Sequence, residues 1–129
     1  MNRTLAYAIS GAIALALALG SVLVSGGAPA ASGRTTVRPP VTIRLGEFFY
    51  KPRSVTVHVG QTVRFLNIGK IAHTVADTDA RGNLHSRLIK PRPLNHGQAQ
   101  LVRFAKPGIV YYLCTFHPTL MKGRIVVTR

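Results

Sequence analysis

The sequence predicts an all-β domain, an antiparallel sandwich or barrel, and three observations support this prediction. Short segments between residues 41 and 129 alternate apolar and polar residues, which is the period-two pattern of half-buried strands. Turn residues separate these segments at intervals of roughly 8–12 positions, as in small sandwiches. This region carries no apolar stripe of helical period, and the sequence shows no internal repeat.

The predicted strands follow one another to the end of the sequence. In chain order they are residues 41–45, 55–59, 63–65, 99–104, 109–114 and 123–128. The first two alternate strictly, a Gly-Gln turn precedes the third, and a Lys-Pro-Gly turn separates the fourth from the fifth. Alternation directs these polar side chains outward: Arg44, Thr56, His58, Arg64 and Arg103. Residues 77–98 are predicted to be a polar connection whose histidines, His85 and His96, are solvated.

The N-terminal segment predicts export. Residues 1–30 combine a basic start at Arg3, an apolar run over residues 5–24 and a small-residue ending, which is the order of a signal peptide cleaved after Ala30. The alternative is a retained anchor, because the apolar run approaches the roughly 20 residues of a membrane span. Either way, we expect the rest of the chain in the periplasm or on the outer face of the cytoplasmic membrane. Residues 31–40 are predicted to be a flexible linker, and residues 41–129 one small domain.

The only cysteine, Cys114, lies within eight residues of His117 and Met121. In an exported protein a lone cysteine is a free thiol, half of an intermolecular disulfide or a metal ligand. Thiolate, imidazole and thioether form the ligand set for copper, and Cys with two His and a weak axial Met makes an electron-transfer site. The second histidine must come from elsewhere, and His73 is the candidate.

Strand alternation places Cys114 inside the domain, on the same face as Val110 and Tyr112. Two alternatives to copper stay open at this point. A buried cysteine is commonly an inert small hydrophobe. Zinc is the other metal that binds Cys and His, although closed zinc sites favour those ligands without a thioether.

Several segments together resemble a small cupredoxin, a blue (type 1) copper protein of the amicyanin- and plastocyanin-like branch. They are residues 48–52, 54–67, 73–75, 104–108 and 114–118. The resemblance implies a Greek-key β-sandwich of seven to eight strands with one copper ion at one end. It implies His73, Cys114 and His117 as equatorial ligands and Met121 as the axial ligand.

The spacing between the last two of these ligands departs from the resemblance. Three residues separate His117 from Met121, which is more than in amicyanin-like proteins and fewer than in plastocyanin-like ones. Azurins share this spacing, so the geometry is feasible. If Met121 does not reach the metal, the axial position is empty or is taken by a backbone carbonyl.

Residues beside the ligands have predicted supporting roles. Thr74 and Thr115 each directly follow a ligand, and they either form hydrogen bonds between the two ligand loops or are exposed strand-end residues. His117 is expected to lie nearest the surface and to be the route by which electrons leave. An apolar contact patch is predicted around it, formed by Phe116, Pro118, Leu120, Ile71 and Ala72.

The expected function is single-electron shuttling by Cu(I)/Cu(II) cycling, and the alternative is a periplasmic copper carrier or scavenger. An enzymatic function is disfavoured, because the paired H-x-H motifs of multicopper enzymes are absent from the sequence. The only acids, Glu47, Asp77 and Asp79, form no catalytic pair.

The net charge of the chain is +14, and removal of residues 1–30 would leave +13. A charge this far from zero concerns partners more than fold. We expect an acidic redox protein such as a cytochrome or dehydrogenase, or an anionic membrane surface, as a partner of a monomeric chain. A generally basic surface without a dedicated partner is equally compatible with the sequence. Nucleic acid is disfavoured, because no basic motif interleaved with aromatic residues is present.

Overall fold

The computed structural model describes residues 26–28 and 37–129. The predicted export segment or anchor, apart from residues 26–28, lies outside the described residues, as does most of the predicted linker. Residues 37–40 are exposed and have no regular secondary structure. No helix in the described ranges is long and apolar enough to cross a membrane.

Residues 41–128 form eight strands in two four-stranded sheets. The strands are β1 (Val41–Gly46), β2 (Phe49–Lys51), β3 (Ser54–His58), β4 (Thr62–Asn67), β5 (Ala76–Thr78), β6 (Ala99–Arg103), β7 (Gly108–Leu113) and β8 (Lys122–Thr128). The first sheet has the order β2-β1-β4-β6, and the second has the order β3-β8-β7-β5. The predicted all-β sandwich is confirmed.

Two of the six strand pairs are parallel, whereas the alternation pattern predicted an antiparallel sheet. Val41 of β1 pairs with Val63 of β4, and Val55 of β3 pairs with Ile125 of β8, in the parallel sense. Parallel neighbours need a crossover connection. Strands β2 and β3 supply it for the first pair, because β3 belongs to the other sheet and β4 then returns beside β1.

The core lies between the sheets and follows the predicted alternation. Its fully buried side chains include Ile43, Leu45, Val57, Val63, Phe65 and Ile125. The outward residues Arg44, Thr56, Arg64 and Arg103 are exposed, as predicted. His58 is half-buried instead, and its Nδ1 atom lies 2.9 Å from the Arg129 carbonyl oxygen.

The predicted polar connection, residues 77–98, contains structure that the sequence did not reveal. Strand β5 overlaps its start and pairs with β7. Ile89 and Leu94 reach the core, with 0% and 1% exposure. The buried Asp77 carboxylate accepts hydrogen bonds from the backbone N–H groups of Leu88 and Ile89. This contact holds an irregular segment against the sandwich without an alternating apolar pattern. His85 and His96 are exposed, as predicted.

Candidate metal centre

Three predicted ligands meet at one end of the sandwich. Cys114 directly follows β7, His117 lies on the next turn, and His73 lies in the connection between β4 and β5. One ligand atom from each lies within 4.8 Å of the others. The Cys114 Sγ atom is 3.8 Å from His117 Nδ1, and the ring centroids of His73 and His117 are 5.5 Å apart.

Backbone hydrogen bonds close the loop that carries Cys114 and His117. The Cys114 N–H donates to the Met121 carbonyl at 3.0 Å, and the Met121 N–H donates to the His117 carbonyl at 3.0 Å. Met121 is therefore held beside Cys114, and its side chain is fully buried in the core. Its position is compatible with an axial ligand, and that role stays a prediction.

Hydrogen bonds to the backbone of His73 and to the backbone of the next residue, Thr74, fix the position of His73. His73 and Leu94 exchange two backbone hydrogen bonds, of 3.1 and 2.8 Å. The buried Tyr50 hydroxyl donates to the Thr74 carbonyl at 2.6 Å. Burial raises the pKa of Tyr50, so the hydroxyl stays a donor. Tyr50 was not identified from the sequence, since a tyrosine in a short strand carries no local signal of this role.

Two further residues hold the loop that precedes His73, and neither was identified from the sequence. The buried Asn67 side chain donates to the Ile71 and Leu94 carbonyls at 2.8 and 2.7 Å and accepts from the Gly69 N–H at 2.8 Å. The Glu47 carboxylate accepts the N–H groups of Ile71 and Lys70, and these hydrogen bonds lower the pKa of Glu47. The sequence did contain a signal for this turn, because Asn67 is followed two residues later by Gly69 and both residue types favour turns.

Replacement of Asn67 by alanine should destabilise the metal-free protein by about 3 kcal/mol, because two buried carbonyls and one N–H group lose their partner. Urea unfolding at equilibrium measures this loss. The control is Asn95→Ala, since Asn95 is exposed. A loss within about 0.5 kcal/mol of that control, the range of neutral surface substitutions, would show that the loop does not depend on Asn67.

The structure brings Thr74 and Thr115 into contact across the two ligand loops. Their hydroxyl oxygens are 2.8 Å apart, and the Thr115 N–H donates to Thr74 Oγ1 at 2.8 Å. The Thr74 N–H also donates to Cys114 Sγ at 3.4 Å. Such hydrogen bonds orient ligands and tune a bound metal. That tuning role stays a prediction for these two residues.

The residues present fit a bound copper ion. His73 is 0% exposed, and among the described residues neither of its ring nitrogens finds a hydrogen-bond partner. Buried polar atoms are normally paired, so this ring lacks a partner that a metal would supply. Burial lowers the pKa of His73, and nearby His117 lowers it further, which favours the neutral, metal-binding imidazole. One thiol, two imidazoles and an adjacent thioether match copper better than zinc.

Exposed apolar residues lie on the loops that carry the two histidines, and His117 is itself only half-buried. The predicted patch residues Phe116, Leu120 and Ile71 are 51%, 61% and 43% exposed, and Pro118 is also exposed. The structure adds Phe48, whose ring packs edge-on against His117 with centroids 4.8 Å apart. Phe48 has a positive φ of 68° at the β1–β2 turn. Its contact was not predictable, because the sequence does not show that this turn lies beside His117.

Comparisons with known proteins agree with this geometry. Residues 38–128 match the family of copper binding proteins described as the plastocyanin/azurin family. A purple cupredoxin from Nitrosopumilus maritimus is 27% identical with a TM-score of 0.64, and the match covers 68% of this chain and 99% of that one. A reduced-state amicyanin mutant is 28% identical with a TM-score of 0.60, covering 69% and 82%.

A copper-containing enzyme also matches this chain, over part of the enzyme's length. The copper-containing nitrite reductase from Thermus scotoductus SA-01 is 30% identical with a TM-score of 0.59 over 79% of this chain, but the match covers 25% of that enzyme. No curated protein matches the sequence.

The family match spans most of the chain and includes all three residues of the candidate site. This chain therefore belongs to the plastocyanin/azurin family of copper-binding proteins, with His73, Cys114 and His117 as its candidate copper site.

Proposed function

We propose that this chain is an exported, monomeric type 1 copper protein that shuttles single electrons between redox proteins. The observation that carries the proposal is the site of one thiol and two imidazoles among the described residues, with two of its members fully buried and His117 half-buried. Bound copper would supply a one-electron Cu(I)/Cu(II) couple. His73, Cys114 and His117 would hold the ion, with Met121 as a fourth ligand.

The contribution of the protein is to hold these side chains in place. The Thr74–Thr115 contact joins the two ligand loops, and the exchange of hydrogen bonds with Leu94 fixes the His73 backbone. A donor N–H at 3.4 Å stabilises negative charge on the Cys114 sulfur. A scaffold that is fixed before the metal changes oxidation state needs little rearrangement when an electron arrives or leaves.

Exposure indicates where a partner would dock. Cys114 and His73 are 0% exposed, so a partner at this end of the molecule contacts His117 first. The apolar residues around His117 exclude water from such a contact. Lys70, an exposed residue beside Ile71, would favour an acidic redox partner such as a cytochrome or dehydrogenase.

The three carboxylates support a non-enzymatic role. Glu47 accepts N–H groups of the loop before His73, and Asp77 accepts those of Leu88 and Ile89. Asp79 accepts the N–H groups of Arg81 and Asn83 within its own turn. Each acid thus has a structural role in which its side-chain oxygens accept backbone N–H groups.

The visible spectrum and the electrochemistry of the copper-loaded protein test the proposal. We expect strong absorption in the orange-red, which marks a copper–thiolate bond, and reversible one-electron cycling without loss of metal. Weak visible absorption together with rapid transfer of copper to a chelator would favour the carrier or scavenger instead. The burial of Cys114 and His73 argues for retention.

Substitutions of Met121 should move the reduction potential in opposite directions. Met121→Gln adds a harder oxygen donor that favours Cu(II) and lowers the potential, whereas Met121→Leu removes the donor and raises it. We expect each shift to reach about 59 mV, a tenfold change in a one-electron equilibrium. Leu is close to Met in volume, so that variant should still fold.

Cyclic voltammetry of both variants measures these shifts. Leu120→Gln is the matched control, because Leu120 is 61% exposed on the patch and cannot serve as the buried donor. Potentials that match that of the control in both Met121 variants would remove Met121 from the copper site.

A further inference from the structure

The outer face of the first sheet carries four exposed basic side chains and no acidic one. They are Arg44 on β1, Lys51 on β2, Arg64 on β4 and Arg103 on β6, which we call the basic face. The other outward positions on these strands include Thr42, Thr62, Leu66 and Leu101. The outer face of this sheet thus concentrates positive charge, and no acidic side chain on its strands balances that charge.

The strand register arranges these four residues in a diagonal stripe. Arg44 lies opposite Lys51, while Arg64 and Arg103 lie opposite Thr42 and Thr62. With strands about 4.8 Å apart and a rise of about 3.3 Å per residue, the stripe is roughly 20 Å long. Leu101 lies opposite Arg64 and is 65% exposed, so the face also offers apolar surface.

The stripe leads away from the copper site. Strand β4 runs toward that site, because Asn67 at its end holds the loop of His73. Arg103 pairs with Thr62, at the opposite end of β4. Transient redox interfaces are small, so a partner seated on the apolar patch would leave most of the basic face uncovered. A second, extended anionic surface would match the part of the basic face that such a partner leaves uncovered.

We propose that the basic face binds the anionic headgroups of a phospholipid membrane. Each Lys or Arg near an anionic bilayer strengthens binding about fivefold, and an extended bilayer surface can contact several residues of one sheet face at once. The strands then lie parallel to the membrane. The copper site lies at the strand ends, so its apolar patch stays free for a redox partner. This proposal does not depend on the identity of the metal.

The opposite sheet is a weaker candidate for the same role. Its outer face carries Lys122 and Arg124 on β8, and the neighbouring grooves contain Arg53 and Arg81 together with the acidic Asp79. The opposite sheet therefore supplies a matched control for substitutions on the basic face. Arg124 Nε donates to Ser54 Oγ at 3.2 Å, just as Arg103 Nε donates to Thr62 Oγ1 at 2.8 Å on the basic face.

The test uses the copper-loaded full chain with two kinds of vesicle, pure phosphatidylcholine and an equal mixture of phosphatidylcholine and phosphatidylglycerol. Acetylation by a water-soluble reagent, read by mass spectrometry, reports which face is covered. Lys51 should be modified more slowly on the anionic vesicles than on the neutral ones, whereas Lys122 should not. This difference remains readable even if the N-terminal segment inserts into both kinds of vesicle.

Charge reversal tests the same face by affinity. Arg64→Glu with Arg103→Glu should weaken the extra binding to anionic vesicles at least 25-fold, about fivefold for each lost residue. Arg81→Glu with Arg124→Glu changes the net charge equally and should have a much smaller effect. An unchanged far-ultraviolet circular dichroism spectrum verifies that both variants fold.

Three results would overturn the proposal. Equal protection of Lys51 on the two kinds of vesicle would show that headgroup charge does not bring this face to the membrane. Equal losses in the two charge-reversed variants would assign binding to net charge. Protection of Lys51 by an acidic soluble protein, but not by anionic vesicles, would assign the face to a protein partner.

Discussion

Replacement of Cys114 by serine should abolish the intense visible absorption of the copper-loaded protein and leave the β-sandwich folded. The absorption arises from the bond between copper and a thiolate, which serine cannot form. Cys114 is fully buried, and its Sγ atom accepts the Thr74 N–H at 3.4 Å. A serine oxygen is nearly isosteric with that sulfur and can accept the same hydrogen bond, so the packing should survive.

Visible and circular dichroism spectra, recorded after copper is added, measure the two parts of this expectation. Thr115→Ser is the control, because it shortens the neighbouring side chain and keeps every candidate ligand. Strong orange-red absorption in the Cys114→Ser protein would contradict the assignment of the thiolate. Loss of the β-sheet signal in the same variant would instead show that the sulfur is needed for packing.

The parts of the molecule that were predictable from the sequence depend on short-range patterns. Strict alternation over residues 41–45 and 55–57 reveals which side chains face the core, because strand geometry alone determines it. The pattern fails at Val59, which lies beyond the end of β3 and is exposed. The cluster of Cys114, His117 and Met121 lies in one loop, so its spacing is visible directly. His73 lies far away in sequence, and it became a candidate because copper needs a second imidazole.

Tyr50, Asn67 and Glu47 also position the site, and their roles were not identified from the sequence because their contacts join distant parts of the chain. Tyr50 reaches the Thr74 carbonyl across 24 positions, and Asn67 reaches that of Leu94 across 27. Glu47 accepts the N–H group of Ile71 across 24 positions. Strand β5 was missed for a similar reason. Its residues do not alternate, and pairing with β7 and the contacts of Asp77 stabilise it.

Removal of copper should lower the melting temperature strongly. A ligand that binds only the native state adds RT ln(1 + [L]/Kd), which is about 4 kcal/mol when free copper exceeds Kd a thousandfold. For a domain of this size each kcal/mol moves Tm by roughly 4–8 °C, so we expect a shift of roughly 15–30 °C. Copper binding to Cys and His in the unfolded chain would reduce this value. Calorimetry of the metal-free and copper-loaded protein measures it.

A pair of histidine variants decides whether the stabilisation arises at the proposed site. His73→Ala should remove most of the copper-dependent shift in melting temperature, while His85→Ala should keep it, because His85 is exposed on the connection after β5.

The metal-free His73→Ala protein should lose less than about 2 kcal/mol in its free energy of unfolding. The cavity left by the imidazole is costly, but two buried nitrogens without partners disappear with it. Imidazole added to this variant should restore copper binding by filling the cavity. A full copper-dependent shift in His73→Ala would show that the metal binds elsewhere in the chain, and His96→Ala would then be the next variant to measure.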